Sequence, residues 1–592
     1  MKPEKILYCT ALICFLVGTA GILISSHSTT STYSQLTFII SSLLLGLSPS
    51  LFIFSPTSQN KNENLIIASL LFLVAIIKVL GLHIKYGLYL GCDSVAEFGV
   101  IKSLFLQPTF ELTSNALTEF PLSYISVYMI STITNVNPIA ESWNFTHLFS
   151  HALTVIFLYL LIKNIFDRDI AVISCIAYMY NPAVSIYSLS MTRENYGTLF
   201  LVTSIYIMQI QAKRNRPSGV LVYIIICTAL IFSHYTTSYF NLLTLSLLFL
   251  TGFILHFSKT KNKDSKKYRN FYVLFFSAVL FLWIFDLTYH HQGDIRIADH
   301  MLRGITDLFK SKEMEISSSS ETTKILSDFS FVQTLYKLQA FYIAIGSFYL
   351  LAQIRNLSGY QRIFAVVAFF DVCLIALSSV VPSLANSLSP TRIMRFGIIL
   401  GCIPVGYISV RMKSKVEPDK QKMNKIIALM VIVLLFIYPI SQWIATEYMA
   451  FTPEPYPSEL RSEMYNIRST HEINTLDRID RNLPDNSTLA LEMQLAGARV
   501  FSLSRSRNAH SIELNDKILF EKESDNYTSN TFIFMRKSLY EERQFVDYPE
   551  NWHSATSFLK TLNDTEFINL NEKIKDNYLV YNEGAYKLLK LK

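Results

Sequence analysis

The sequence predicts a polytopic α-helical membrane protein of about thirteen spans, ending in a C-terminal exterior α/β domain. Three observations predict it. Hydrophobic residues make up 51% of the 592, and they recur in runs of about twenty, the length that crosses a bilayer. Charged residues are only 16%, against roughly 25% in soluble domains. The charge is also unevenly divided. From Glu447 onward, 18 Lys and Arg meet 23 Asp and Glu, a net of −5, so the overall +7 leaves +12 on the preceding residues. These features exclude a disordered chain, a fibrous repeat and a conventional cytosolic enzyme.

Apolar runs place the spans near 6–26, 35–54, 65–84, 145–163, 170–188, 195–212, 218–236, 239–257, 271–287, 336–354, 361–380, 393–411 and 426–444. Lys2 and Lys5 precede the first, as in a signal peptide, but the run is long and no A-x-A site follows, so it reads as an anchor. With the N-terminus inside, alternate loops carry the Lys and Arg excess, including the run from Lys259 to Arg269 and that from Arg411 to Lys425. The basic excess therefore marks membrane orientation and not nucleic-acid binding. An odd span count puts the residues after the last span outside. Three parts follow: two additional N-terminal spans (1–64), a core of further spans with exterior loops 85–144 and 288–335 (65–444), and an exterior soluble α/β domain (445–592). Within the first exterior loop, 93–106 reads as a short amphipathic helix. Residues 121–134, opened by Pro121, read as a helix lying in the membrane interface. None of the seven Cys follows Cys402, so no disulfides staple the last domain.

The exterior turns gather the residues that could carry chemistry. Asp93 and Glu97, in Gly91-Cys92-Asp93-Ser94-Val95-Ala96-Glu97, are four apart and share a face on a helix. They suit a general base with an orienting or metal-binding partner, or simply a solvated helix start. Arg193 and Glu194 sit side by side at a membrane boundary, where charges are costly unless paired or wet. They read either as an anion ligand beside a second acid or as an ion pair ending a helix. His234, in Ser233-His234-Tyr235-Thr236-Thr237, is a site residue or a structural one. Arg392 and Arg395 lie on the side that disfavours Arg, and arginine forks match phosphate oxygens. The clearest charge within a span is Lys78, near its outer end.

This layout resembles the C-type (GT-C) integral membrane glycosyltransferases. The resemblance covers about 65–444 and rests on Asp93 and Glu97 at the head of a long exterior loop, on Pro121-Leu122-Ser123-Tyr124, on the spans after Asn144, and on Glu194 in the next exterior turn. More closely, the chain resembles a group of uncharacterised archaeal membrane proteins with this layout. The resemblance implies a GT-C-like fold and an enzyme that takes a sugar from a polyprenyl (dolichyl) phosphate carrier. The acceptor would be an exterior glycan, lipid or protein. It implies Asp93 as catalytic base or acceptor-orienting residue, with Glu97 beside it, and Glu194 as second acid. Arg193, Arg392 and Arg395 would hold the carrier phosphate, with His234 in the substrate site. A divalent cation is a possible cofactor. The chain departs from the family pattern in two ways: no D-x-D follows the third span, and two extra spans precede the core. The rival classes are a lipid-linked substrate transporter or flippase, and a cell-envelope scaffold. Transporters favour charges at mid-membrane and Gly-broken helices, whereas this chain has 19 Gly in 592 and its acids cluster at one face.

Overall fold

The computed structural model describes residues 3–27, 32–54, 61–86, 89–90, 122–134, 139–181, 184, 193–214, 217–256, 330–380 and 390–411. From the C-terminal part it describes 467–468, 483, 488–491, 510–513, 531–536, 544–547, 558–561, 564–576, 578–582 and 586–590. The expected spans at 271–287 and 426–444, and the expected helix at 93–106, lie outside these residues.

Helices α1 (Pro3–His27) and α2 (Thr32–Ser50) form an antiparallel pair, followed by a 3₁₀ turn at Leu51–Phe54. Small residues bring them together, as in other helix contacts where apolar burial alone supplies no drive. A Cβ on Gly18 would stand 2.9 Å from the Ser41 carbonyl oxygen. The pair leans on α3 (Lys61–Tyr86), where Ser26 Oγ donates to the Gly81 carbonyl at 2.8 Å.

Helix α4 (Leu122–Thr134) is about 20 Å long by helical rise, too short to span. It buries Ser123, Tyr124, Val127 and Ser131, and exposes Ile125, Met129 and Ile133 on the opposite face. Next come α5 (Ile139–Ile165), α6 (Arg168–Met179), α7 (Glu194–Arg214), α8 (Pro217–Ser233), α9 (Tyr235–His256), α10 (Ser330–Ala352), α11 (Gly359–Val380) and α12 (Pro390–Arg411).

Among the described residues, five helices are long and apolar enough to cross a membrane: Ile6–Ser26, Leu36–Ile53, Asn62–Gly81, Phe145–Ile165 and Gly359–Ala376. Several carry outward apolar side chains, such as Leu16, Ile24, Leu65 and Phe370, which suit lipid better than water.

Four more expected spans, at 218–236, 239–257, 336–354 and 393–411, coincide with shorter apolar helices, and two others behave differently. Within the run expected to span 170–188, helix α6 ends at Met179, with Tyr180 capping it and Asn181 before Pro182. Proline lacks the amide the helix needs and biases the preceding residue out of the helical region. Every residue from Ile170 to Met179 is buried, so α6 is enclosed by protein. Helix α7 matches its expected place but is polar for a span. Its Asn195, Thr198, Thr203, Ser204 and Gln209 are all buried.

Helix α12 runs against α6, α10 and α11. Its closest approach is at Gly406, where a Cβ would stand 2.5 Å from the Ile170 carbonyl oxygen, so any larger residue would push α12 off α6.

At the end of the bundle where α3 and α6 begin, Arg168 ties three elements together. Its Nη1 pairs with Glu63 Oε1 at 2.9 Å, its Nε donates to Asp169 Oδ1 at 2.9 Å, and its Nη2 donates to the Phe52 carbonyl at 3.0 Å. Glu63 is 1% exposed. Removing one partner of a buried pair strands the other charge, at a cost of about 3–5 kcal/mol. Arg168→Ala is therefore expected to lower the unfolding midpoint of the purified protein markedly in a thermal scan. A midpoint unchanged from wild type would show that this junction bears no weight.

In the C-terminal part, β3 (Thr488–Leu491) runs parallel to β4 (His510–Glu513) on one side and to β5 (Thr531–Arg536) on the other. Strand β9 (Tyr586–Lys590) joins β5 antiparallel, and β8 (Tyr578–Asn582) closes the order β4-β3-β5-β9-β8. A separate hairpin pairs β6 (Gln544–Asp547) with β7 (Phe558–Thr561). Helix α13 (Asp564–Asp576) lies beside β8 and buries Leu570. One more pairing links distant parts of the chain. Strand β1 (Tyr89–Leu90), just after α3, runs antiparallel to β2 (Ile467–Arg468).

Candidate functional site

Helix α7 begins with Glu194 in its first turn, where the helix N-terminus favours an anion. The Thr198 hydroxyl donates to the Glu194 carbonyl at 2.7 Å, and the Gly197 amide donates to the Arg193 carbonyl at 3.1 Å. Gly197 is the point where α7 meets α9. A Cβ there would stand 3.0 Å from Thr237 Cβ and closer still to its hydroxyl. Only the bare glycine lets the two helices approach, and that approach sets Glu194 beside His234.

His234 is the single residue between α8 and α9. Its amide donates to the Leu230 carbonyl at 3.3 Å, and its own carbonyl accepts from the Thr237 and Ser238 hydroxyls, each at 2.9 Å. The Thr237 amide donates to His234 Nδ1 at 3.4 Å. That contact makes Nδ1 the acceptor and leaves the ring proton on Nε2 in the neutral tautomer. Nε2 faces Glu194 Oε1 at 3.5 Å.

Arg395 enters from the first turns of α12. Its Nη1 donates to Glu194 Oε2 at 2.6 Å, and its Nη2 donates to Asn195 Oδ1 at 2.6 Å. Glu194, Asn195, His234 and Arg395 are all buried, as is Arg193. Contacts this short between a guanidinium and a carboxylate are charge-assisted, and the planar fork fixes the orientation of what it grips.

The structure therefore brings Glu194, His234 and Arg395 together, although they are far apart in sequence. Arg193 adjoins them in the chain. Arg392 lies in the first turn of α12, and its side chain is outside the described residues. Asp93 and Glu97 are also outside them. Both terminal nitrogens of Arg395 contact α7, so Arg395 grips Glu194 and Asn195.

A second group of polar side chains lines the same end of the bundle: Lys78, which the sequence singles out, and two histidines to which the turns do not point. His147 and His151 are one helical turn apart on α5. The His147 ring meets Tyr196 edge-on at 5.1 Å, and that of His151 stacks with Tyr178 at 6.4 Å. Lys78 of α3 is 1% exposed, with Nζ 4.4 Å from the centre of the Tyr180 ring. The Tyr180 hydroxyl donates to the Ser42 carbonyl of α2 at 2.6 Å. A sequence signal for this group existed: two histidines at i, i+4 and one lysine inside otherwise apolar spans. An ammonium at such depth costs about 2.5–3.5 kcal/mol on insertion scales. A cation–π contact returns up to about 2 kcal/mol of this.

Among the described residues, no three His, Cys, Asp or Glu side chains gather to hold a metal ion. The carboxylates that suit the expected divalent cation, Asp93 and Glu97, are outside those residues.

A family model for dolichyl-phosphate-mannose-protein mannosyltransferase matches residues 124–285, a stretch that includes Glu194 and His234. No curated protein matches the chain. Solved structures of similar fold include the Archaeoglobus fulgidus oligosaccharyltransferase tethered to an acceptor peptide containing the NVT sequon. It has a TM-score of 0.51 at 11% identity, over 84% of this chain and 74% of that one. Another is ArnT from Cupriavidus metallidurans bound to undecaprenyl phosphate, with a TM-score of 0.50 at 9% identity, over 90% of this chain and 98% of that one. A third is the archaeal oligosaccharyltransferase AglB from Archaeoglobus fulgidus with an inhibitory peptide and a dolichol-phosphate. Its TM-score is 0.50 at 10% identity, over 84% of this chain and 74% of that one.

Proposed function

We propose that this chain is a C-type (GT-C) integral membrane glycosyltransferase and that it transfers a sugar from a polyprenyl (dolichyl) phosphate carrier to an exterior glycan, lipid or protein. The observation that carries the proposal is the buried Glu194, held by Arg395 at 2.6 Å and faced by His234 at 3.5 Å. A carboxylate gripped by a guanidinium and held away from bulk water is suited to act on charge that develops during reaction. Further support comes from the family model, which is named for a dolichyl-phosphate-dependent transferase and spans this residue. Two of the similar structures hold a polyprenyl or dolichol phosphate.

In the proposed reaction the acceptor heteroatom attacks the anomeric carbon. The bond from that carbon to the carrier phosphate oxygen breaks, and its electron pair leaves on the polyprenyl phosphate. Asp93 takes the acceptor's proton, with Glu97 beside it. Glu194 faces the positive charge that builds on the sugar. Arg193 and Arg392 hold the phosphate, which leaves as an anion and so needs no nucleotide. Arg395 and His234 position Glu194. We place the N-terminus in the cytoplasm and 445–592 outside, on the strength of the basic loops. Those loops would then put the Glu194 end of the bundle on the outer side, within reach of an exterior acceptor. On this reading 65–444 is the catalytic core and 1–64 an addition to it.

The test is acceptor-dependent release of dolichyl phosphate from labelled dolichyl-phosphate sugars by the full chain in nanodiscs. Wild type is expected to release it, and Asp93→Asn to lose at least about a hundredfold in rate. Equal rates for wild type and Asp93→Asn would sink the assignment of Asp93. No release with any donor sugar would sink the function.

A further inference from the structure

Asn195 has no part in the reaction as proposed above, yet its side chain offers more than its one contact uses. It follows Glu194 in the first turn of α7 and is 2% exposed, so bulk water does not meet it. Its Oδ1 accepts from Arg395 Nη2 at 2.6 Å, while Nη1 of the same guanidinium holds Glu194 Oε2. A guanidinium only donates, so this contact fixes which end of the amide is oxygen and which is nitrogen. Nδ2 is left with two protons, and no acceptor meets it among the described residues. A buried donor without an acceptor costs free energy, and native structures keep few of them. Holding Arg395 does not explain it, because any side-chain oxygen could accept that one hydrogen bond. An asparagine brings two donors beyond that need, and the fork that grips Glu194 locks them beside the carboxylate.

We propose that Asn195 is a further substrate-contacting residue, whose amide nitrogen donates to a hydroxyl oxygen on the sugar of the lipid-linked donor. This rests on the glycosyltransferase reading and deepens it. A sugar hydroxyl both donates and accepts. A carboxylate accepts and an amide nitrogen donates, so Glu194 and Asn195 on one guanidinium offer a partner for each role. A neutral amide also suits a hydroxyl better than a phosphate, whose charge is matched by arginine forks. Hydrogen bonds to sugar hydroxyls strengthen as positive charge builds on the ring. Arg395 then has two tasks on one fork: it orients the acid that faces that charge and the amide that holds the ring. A site that hydrogen-bonds a hydroxyl rejects an analogue lacking it, so Asn195 also sets which donor sugars are taken.

The experiment measures steady-state transfer by the full chain in nanodiscs. The donors are the dolichyl-phosphate sugar that wild type turns over in the release assay and analogues of it that each lack one hydroxyl. Wild type, Asn195→Ala and Asn195→Asp are compared, with a thermal scan of each sample. Asn195→Ala is expected to lower kcat/KM about 10- to 100-fold on the full sugar. Asn195→Asp keeps an oxygen for Arg395 and loses the donor, so it should be slow as well, and it decides the matter if the alanine variant does not fold. On one deoxy analogue wild type should be slowed as much, and neither variant should cost much more there, because both changes remove the same hydrogen bond. Dolichyl phosphate without a sugar should bind wild type and Asn195→Ala within about threefold of each other. If Asn195→Asp transfers at the wild-type rate, Asn195 serves only to hold Arg395 and the proposal is overturned, while the glycosyltransferase reading stands. The same follows if Asn195→Ala slows every analogue by the factor seen with the full sugar. If Asn195→Ala weakens the binding of dolichyl phosphate itself, the amide meets the carrier phosphate and the sugar contact is overturned. If wild type turns over no donor, both fall.

Discussion

Glu194→Gln is expected to cut the turnover of sugar transfer by about 10²-fold or more, while the donor KM stays within a few-fold of wild type. Glutamine keeps the size of the side chain, and its amide oxygen can still accept from Arg395 Nη1, which now sits 2.6 Å from Oε2. The helix contacts around Gly197 and Thr237 do not involve the carboxylate, so α7 and α9 should stay in register. What disappears is the negative charge. Glycosyl transfer passes through a transition state with positive charge on the sugar ring, and a fixed carboxylate in a dry site is worth most there. An ion pair that merely ended a helix would behave differently. Its loss would lower the thermal midpoint and spare turnover. Steady-state transfer from labelled dolichyl-phosphate sugar, paired with a thermal scan of the same sample, separates the two. Full turnover in Glu194→Gln would remove this residue from the chemistry.

The boundaries that sequence made legible are those set by solvation. The first run, 6–26, coincides with the apolar stretch Ile6–Ser26, and 35–54 lies within two residues of Leu36–Ile53, because lipid demands an unbroken apolar segment. Pro121 likewise marked where α4 would begin. Hydropathy is weaker where a helix is enclosed by protein. Helix α6 is apolar because it is buried among other helices, and Pro182 ends it sooner than its hydropathy suggests. In α7, Ser204 donates to Asn241 of α9 at 2.9 Å, the sort of contact that replaces apolar burial between helices inside a membrane.

The site divides along the same line. Glu194, His234, Arg193 and Arg395 stood out because charge at a tight turn on the unfavoured side needs a reason. Their pairing could not be read, since Arg395 and Glu194 are 201 residues apart and only the tertiary fold joins them. Asn195 carries no signal of its own in the sequence, and only the fold lets its side-chain oxygen accept from Arg395 Nη2. His147 and His151 were passed over because they lie within a span whose overall apolar character hid their shared face.

Arg395→Ala is expected to destabilise the protein by about 3–5 kcal/mol, the largest loss of stability among the single substitutions at this site. The change strands the Glu194 carboxylate in a buried position, with His234 Nε2 at 3.5 Å facing the other oxygen. It also leaves Asn195 Oδ1 without the donor that now reaches it at 2.6 Å. The double variant Arg395→Met with Glu194→Gln separates stability from function. Removing both charges together should restore most of the lost stability, since a buried ion pair replaced by well-packed neutral groups is often neutral. Its coupling energy is expected to be about 1–3 kcal/mol, as for residues in direct contact. Turnover should not recover with stability, because the charge that faces the sugar is still missing. Thermal midpoints of Arg395→Met, Glu194→Gln and the double variant, measured alongside transfer rates, complete the cycle. Additive losses of stability would mean that Arg395 and Glu194 do not interact. Recovery of turnover in the double variant would mean that the pair serves only to hold α12 against α7.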